Sequence, residues 1–181
     1  MRMTRRIAVA AALGIGLLAG TAMAADKFTV GYSQFWGTNP FLVTMAYRAK
    51  KAIGEWKGKG VEIDMILTNG GDTDTTKQVA DLEDLYAQGV DGLVLFPGDS
   101  IVVAEPVKNI FNKAGIPVVI TDIGLQSGSW DTFIITDNYA GGQSAADLMA
   151  KHVPAGAKVI TFDHAPGNDN AQNRQRGFED Q

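Results

Sequence analysis

Four times in succession an apolar run of strand length is followed by a segment whose apolar residues recur at helical spacing, and few folds accept that alternation. Phe28 to Tyr32 reads as the first strand, and Phe41, Leu42, Met45, Ala49, Ala52, Ile53 and Trp56 then mark one face of a helix. Val61 to Leu67 reads as the second strand. Val79, Leu82, Leu85 and Tyr86 mark the next helix, which stops near Gly89. Val90 to Phe96 is the third strand, and a helix from about Val103 to Ala114, with Pro106 in its first turn, leads through Gly115 into the fourth, Ile116 to Thr121. Each strand is nearly continuous in Ile, Val, Leu or Phe, as parallel strands buried on both faces require. The fold class is α/β, a doubly wound parallel sheet.

Past Asp122 a polar Gly/Ser loop, 124–129, precedes a fifth strand, Asp131 to Thr136. A helix follows with Ala145, Leu148, Met149 and His152 on one stripe, then a strand from Lys158 to Phe162 and the start of another helix. Residues 25–136 therefore read as one complete lobe. Residues 137–181 read as a hinge and the first strand-helix unit of a second lobe, too little chain for a core of its own. A sequence stopping at Gly177 to Gln181, inside a helix start, reads as truncated.

The first 24 residues have the pattern of an export leader: Arg2, Arg5 and Arg6, an apolar run from Ile7 to Gly20, and Ala22-Met23-Ala24 as the cleavage site. Thr4-Arg5-Arg6 hints at twin-arginine export, but Ala8-Val9 lack the large apolar residues of that signal, so ordinary export is expected. The run is shorter than the about 20 residues that span a bilayer. Without cysteine there is neither a disulfide nor a lipidated thiol. Losing three leader arginines from 16 basic residues against 20 acidic ones leaves net −7. Phosphate backbones need clustered cations, so nucleic acid is not an expected partner. Lys57 and Lys59, beside Trp56, suit a helix C-terminus.

Catalytic patterns are thin. Asp72-Thr73-Asp74 opens like a calcium loop but lacks the rest of that motif, and Thr73 or Asp74 as a helix cap explains it. His152 and His164 lie on different elements without acids at metalloprotease spacing; His152 reads as a half-buried helix residue and His164 as a loop residue. No nucleophile elbow exists. Asp91 follows a turn at a strand start and Asp99 stands where a cap is needed, so both read as structural. An exported sugar hydrolase would need paired carboxylates, for which Asp99 and Asp122 are the available pair. No metal or cofactor is expected.

Four spots suit ligand binding. Trp36-Gly37-Thr38-Asn39-Pro40-Phe41 follows the first strand, with Asn39 as helix cap before Pro40 and with Trp36 and Phe41 as flat apolar faces beside polar groups, the surface that a sugar ring prefers. Asp122 ends the fourth strand at the sheet edge where ligands of such folds sit, and a carboxylate there can accept bonds from two neighbouring hydroxyls. Thr136-Asp137-Asn138 begins the next element. Asn168 to Phe178 places Asn170 and Arg174 at a fresh helix start.

In order and spacing, Asn39-Pro40-Phe41, Gly89-Val90-Asp91-Gly92-Leu93, Ala114 to Val119 through Asp122, Thr136-Asp137-Asn138, and Arg174 four residues before Phe178 resemble the sugar-binding group of periplasmic binding proteins, the ribose and galactose receptors of ABC importers. The resemblance covers residues 27–178. It implies a periplasmic, monomeric two-lobed receptor, not an enzyme, that closes on a sugar and presents it to a membrane permease, or to a membrane chemoreceptor or sensor. It also implies ligand contacts from Asn39, Phe41 and Asp122 on the first lobe, from Asn138 at the hinge, and from Asn170 and Arg174 on the second; Trp36 joins them as a candidate through its flat apolar face alone. Ribose receptors place an arginine directly after the first-lobe aspartate. Ile123 stands there in this chain, so the resemblance does not assign ribose.

Overall fold

The computed structural model describes residues 26–70, 74–162 and 168–181; the expected leader, Thr73 and His164 lie outside the described residues. Five parallel strands, β1 (Asp26–Gln34), β2 (Val61–Asn69), β3 (Gly92–Phe96), β4 (Val118–Thr121) and β5 (Thr132–Ile134), form one sheet in the order β2-β1-β3-β4-β5. Between them run α1 (Pro40–Lys57), α2 (Thr75–Ala87) and α3 (104–114); α4 (Asn138–His152) and α5 (Asp169–Asp180) follow the sheet.

The predicted alternation gives this sheet because each apolar run finds a parallel neighbour and each helix buries a stripe on it. Leu93 and Leu95 of β3 and Val118 and Ile120 of β4 pack against Leu82 and Leu85 of α2 and Val107 and Phe111 of α3, all at most 1% exposed. Two aspartates lock the strand register. The Thr29 amide donates to Asp91 Oδ2 at 2.7 Å while the Asp91 amide donates to the Thr29 carbonyl, and Asp131 holds the Val118 amide in the same way at 2.8 Å. Asp91 is thereby structural, as its position suggests. Helix α3 widens into a π-turn at Val107–Phe111, a feature without an advance signal in the sequence.

Four expectations need correction. Burial on both faces holds for β3 and β4; β2 and β5 are sheet edges, and Ile134 is 61% exposed. The buried stripe of α2 is Gln78, Leu82 and Leu85, one turn earlier than the predicted face, so Tyr86 stays exposed and meets Phe111 edge-on. The segment Lys158 to Phe162 forms no strand, because no described strand lies beside it to complete a ladder, and Ile160 and Phe162 stand in the open. Helix α4 leaves Ala145, Leu148, Met149 and His152 exposed, since it packs on α5 through a different face.

That packing rests on two glycines. A Cβ on Gly142 would strike the carbonyl oxygen of Arg174, and one on Gly177 would strike that of Tyr139, so the two backbones lie in direct contact. Tyr139 Oη donates to Asp180 at 2.9 Å and Arg176 lies over the Tyr139 ring, closing the pair at its outer edge.

Candidate ligand-binding site

Because β1, β3 and β4 run parallel and in register, the residues just past them assemble at one edge. Sheet order reverses between β1 and β3, and a crevice forms at such a switch point. Here it is a cavity of about 420 Å³. Phe35 and Trp36 enter from the end of β1, Phe96 and Gly98 from β3, Asp122 and Ile123 from β4, Asn39, Phe41 and Leu42 from the head of α1, and Asn168 from the head of α5.

Local chemistry explains the placement. Asn39 Oδ1 accepts from the Phe41 amide at 2.9 Å, capping α1 before Pro40. The cap aims the first turn at the cavity and leaves the Asn39 amide nitrogen available to a ligand. Trp36 Nε1 donates to Thr38 Oγ1 at 2.9 Å, which fixes the indole, while 43% of the residue remains exposed. Phe41 is 56% exposed. Two open aromatic faces thus border the polar groups.

Asp122 is held in an unusual conformation. Its amide donates to the Ile134 carbonyl, the following amide of Ile123 donates back to Thr121, and the three-residue turn so closed gives Asp122 a φ of 65°. A non-glycine residue in this region costs on the order of 1–3 kcal/mol, and such outliers cluster at functional sites. Burial raises the pKa of the carboxyl above its ordinary value of 3.8; the positive charge of Arg174 and hydrogen bonding from Asn170 pull the other way. Asn170 is itself buried, with Oδ1 lacking a partner.

Of the seven residues singled out in the sequence, Trp36, Asn39, Phe41 and Asp122 line the cavity together. Asn170 approaches from α5, near enough for its side chain to favour the charged form of Asp122. Arg174 acts on Asp122 through its charge, but its side chain lines the neighbouring groove between α4 and α5, with Phe162 and Phe178. Asn138 stands apart: it is 3% exposed, donates to the Thr136 carbonyl at 3.0 Å, and lines a separate groove with Ile135 and Asn173. Asp99 spends Oδ1 on the amides of Ile101 and Val102. It caps the turn at 100–103 and not, as expected, the helix itself, which begins at Ala104 without a side-chain cap, and it is not part of the described cavity lining beside Asp122 that a carboxylate pair would need.

Gln78 has no place among the sequence-derived candidates, yet it holds the wall of the cavity. Fully buried, it donates from Nε2 to the Phe96 carbonyl at 2.8 Å and to Ser33 Oγ at 3.3 Å, and accepts the Gly98 amide on Oε1 at 2.8 Å. The Phe35 ring lies against Gly98, where a Cβ could not fit. Gln78→Leu leaves the Phe96 carbonyl and Gly98 amide without partners. At roughly 1–3 kcal/mol for each buried polar group, the expected loss is about 2–6 kcal/mol of unfolding free energy, read by urea denaturation.

The family model for the periplasmic binding protein domain matches residues 30–181, most of the chain. The chain belongs to this family. It is 34% identical over 152 residues to the ribose import binding protein of Bacillus subtilis (strain 168), covering 84% of this chain and 48% of that protein. Among solved structures, the myo-inositol binding protein of Caulobacter, bound to myo-inositol, superposes with a TM-score of 0.71 at 27% identity, over 84% of this chain and 50% of that one. The fructose-binding periplasmic domain of a hybrid two-component system superposes at 0.76 with 22% identity, over 84% and 49%, and shares the fold. The chain spans about half the length of the curated relatives it matches.

Proposed function

We propose that this chain forms the first lobe and hinge of a periplasmic solute-binding protein that captures a sugar or sugar-like polyol between two lobes and delivers it to an ABC import permease. The observation that carries the reading is the strained Asp122 carboxylate at the end of β4, facing a cavity bordered by Trp36 and Phe41. A carboxylate accepts paired hydroxyls, aromatic faces cover the C–H side of a ring, and the Asn39 amide donates to a ring or hydroxyl oxygen. Two relatives named above are a ribose import binding protein and a protein bound to myo-inositol, both ligands rich in hydroxyls. The lobe boundary falls near 136–138. From beyond it α5 brings Asn168, Asn170 and the Arg174 charge toward Asp122, the contact that lobe closure around ligand would tighten. The chain acts as a binder and carrier and leaves the ligand chemically unchanged.

With the partner lobe represented by two helices, this chain supplies one wall of the site, and its own affinity is expected in the millimolar range. Isothermal calorimetry of the 181-residue chain against pentoses, hexoses and inositols should show no saturable micromolar binding. Such binding would overturn the two-lobed reading. Recovery of a chemically altered sugar after incubation would overturn the carrier role in favour of an enzyme.

A further inference from the structure

Among the described residues Asn39, Asp122 and Asn168 bring polar side chains to the cavity lining, whereas Leu42, Phe96 and Ile123 form a contiguous buried cluster, 2%, 8% and 6% exposed, that also lines the cavity. Phe35 packs against that cluster and shares the lining. Ile123 follows Asp122 directly, so a ligand bonded to the carboxylate has its neighbouring edge against this carbon wall. No side chain of the wall donates or accepts a hydrogen bond. A hydroxyl pressed on it leaves water and finds nothing in return. We propose that the preferred ligand is a deoxysugar, whose hydroxyl-free edge, a methyl or methylene group, seats on Leu42, Phe96 and Ile123 while Asp122 takes a vicinal pair of hydroxyls. This rests on the sugar-binding reading above and narrows it to a ligand class. Ile123 becomes the residue that sets the choice.

Saturation-transfer NMR detects millimolar binding and suits the 181-residue chain itself. The probes are matched sugars differing by one hydroxyl: D-fucose against D-galactose, L-rhamnose against L-mannose, and 2-deoxy-D-ribose against D-ribose. At least one deoxy member should bind about tenfold more tightly than its partner, with the strongest transfer on its methyl or methylene protons. In Ile123→Thr and Ile123→Asn the preference should fall to about twofold or reverse, with circular dichroism confirming the fold. Equal or tighter binding of every fully hydroxylated partner would overturn the deoxysugar assignment and leave the sugar-binding reading standing. A preference that survives both variants in folded protein would overturn the role of Ile123. Absence of transfer to any sugar would overturn the sugar-binding reading itself.

Discussion

Replacing Asp122 by alanine should abolish the rise in melting temperature that sugar gives to the full-length two-lobed protein. Among the described residues the carboxylate is the one charged group in the cavity lining, and hydrogen bonds to a charged acceptor contribute about 1.5–3 kcal/mol each. Losing two such bonds weakens binding by two to four orders of magnitude. Alanine also meets a φ of 65° poorly, so it lowers stability independently of ligand. Asparagine separates the two effects, because it tolerates that region and keeps the shape while removing the charge. Asp122→Asn should therefore lose most sugar stabilisation while its ligand-free form melts no lower than the parent at pH 7.

The direction of the pH dependence follows from the raised pKa. The folded state holds the Asp122 proton to higher pH than the unfolded chain does. The resulting stabilisation is fully present below the ordinary value of 3.8 and is lost as pH rises through the folded value. At neutral pH the buried charge is a burden, offset in part by Arg174 and Asn170. Melting curves of the parent and Asp122→Asn should converge near pH 3 and separate in favour of asparagine toward pH 7. A parent that gains on the variant as pH rises would mean that the Arg174 charge outweighs burial.

The second large effect lies at the helix pair. Gly142→Val places a branched side chain where the Arg174 carbonyl already stands, and backbone on both sides leaves nothing to yield cheaply. Overpacking of this kind costs about 1–3 kcal/mol or more, and α5 must shift to relieve it. Asn170 and Arg174 ride on α5, so the shift carries both away from Asp122. We expect a melting temperature lower by several degrees, together with sugar affinity reduced at least tenfold in the two-lobed protein. Unchanged affinity in a folded Gly142→Val variant would show that α5 does not position the site. Gly177→Val should behave in the same way through Tyr139.

What could be read from the chain was whatever depends on local pattern. Alternating apolar runs and helical stripes specify a parallel α/β sheet, and cap chemistry at Asn39 and Asp74 marks where helices start. Position at a strand end singled out Asp122, since parallel sheets gather such ends along one edge. Features made by partners distant in sequence were hidden. Gln78 looks like any polar helix residue until Leu82 and Leu85 are traced one turn back, where the i, i+4, i+7 stripe lands on it. Phe35, Phe96 and Ile123 read as strand ends and linkers. Only the adjacency of β1, β3 and β4 turns them into a cavity wall. Gly142 and Gly177 are 35 positions apart, and nothing short of the folded helix pair reveals their contact. Lys158 to Phe162 has the composition of a strand, but a strand exists only with a neighbour.

Amide chemical-shift mapping of the isotopically labelled chain under titration with millimolar sugar tests the placement of the ligand most directly. Shifts should concentrate at 35–42, 96–98, 122–123 and 168–170 and leave the opposite edge of the sheet, around Asp26, Val61 and Gly92, unmoved. Shifts confined to that opposite edge, or to the groove between α4 and α5 without Asp122, would contradict a site built where the parallel strands end.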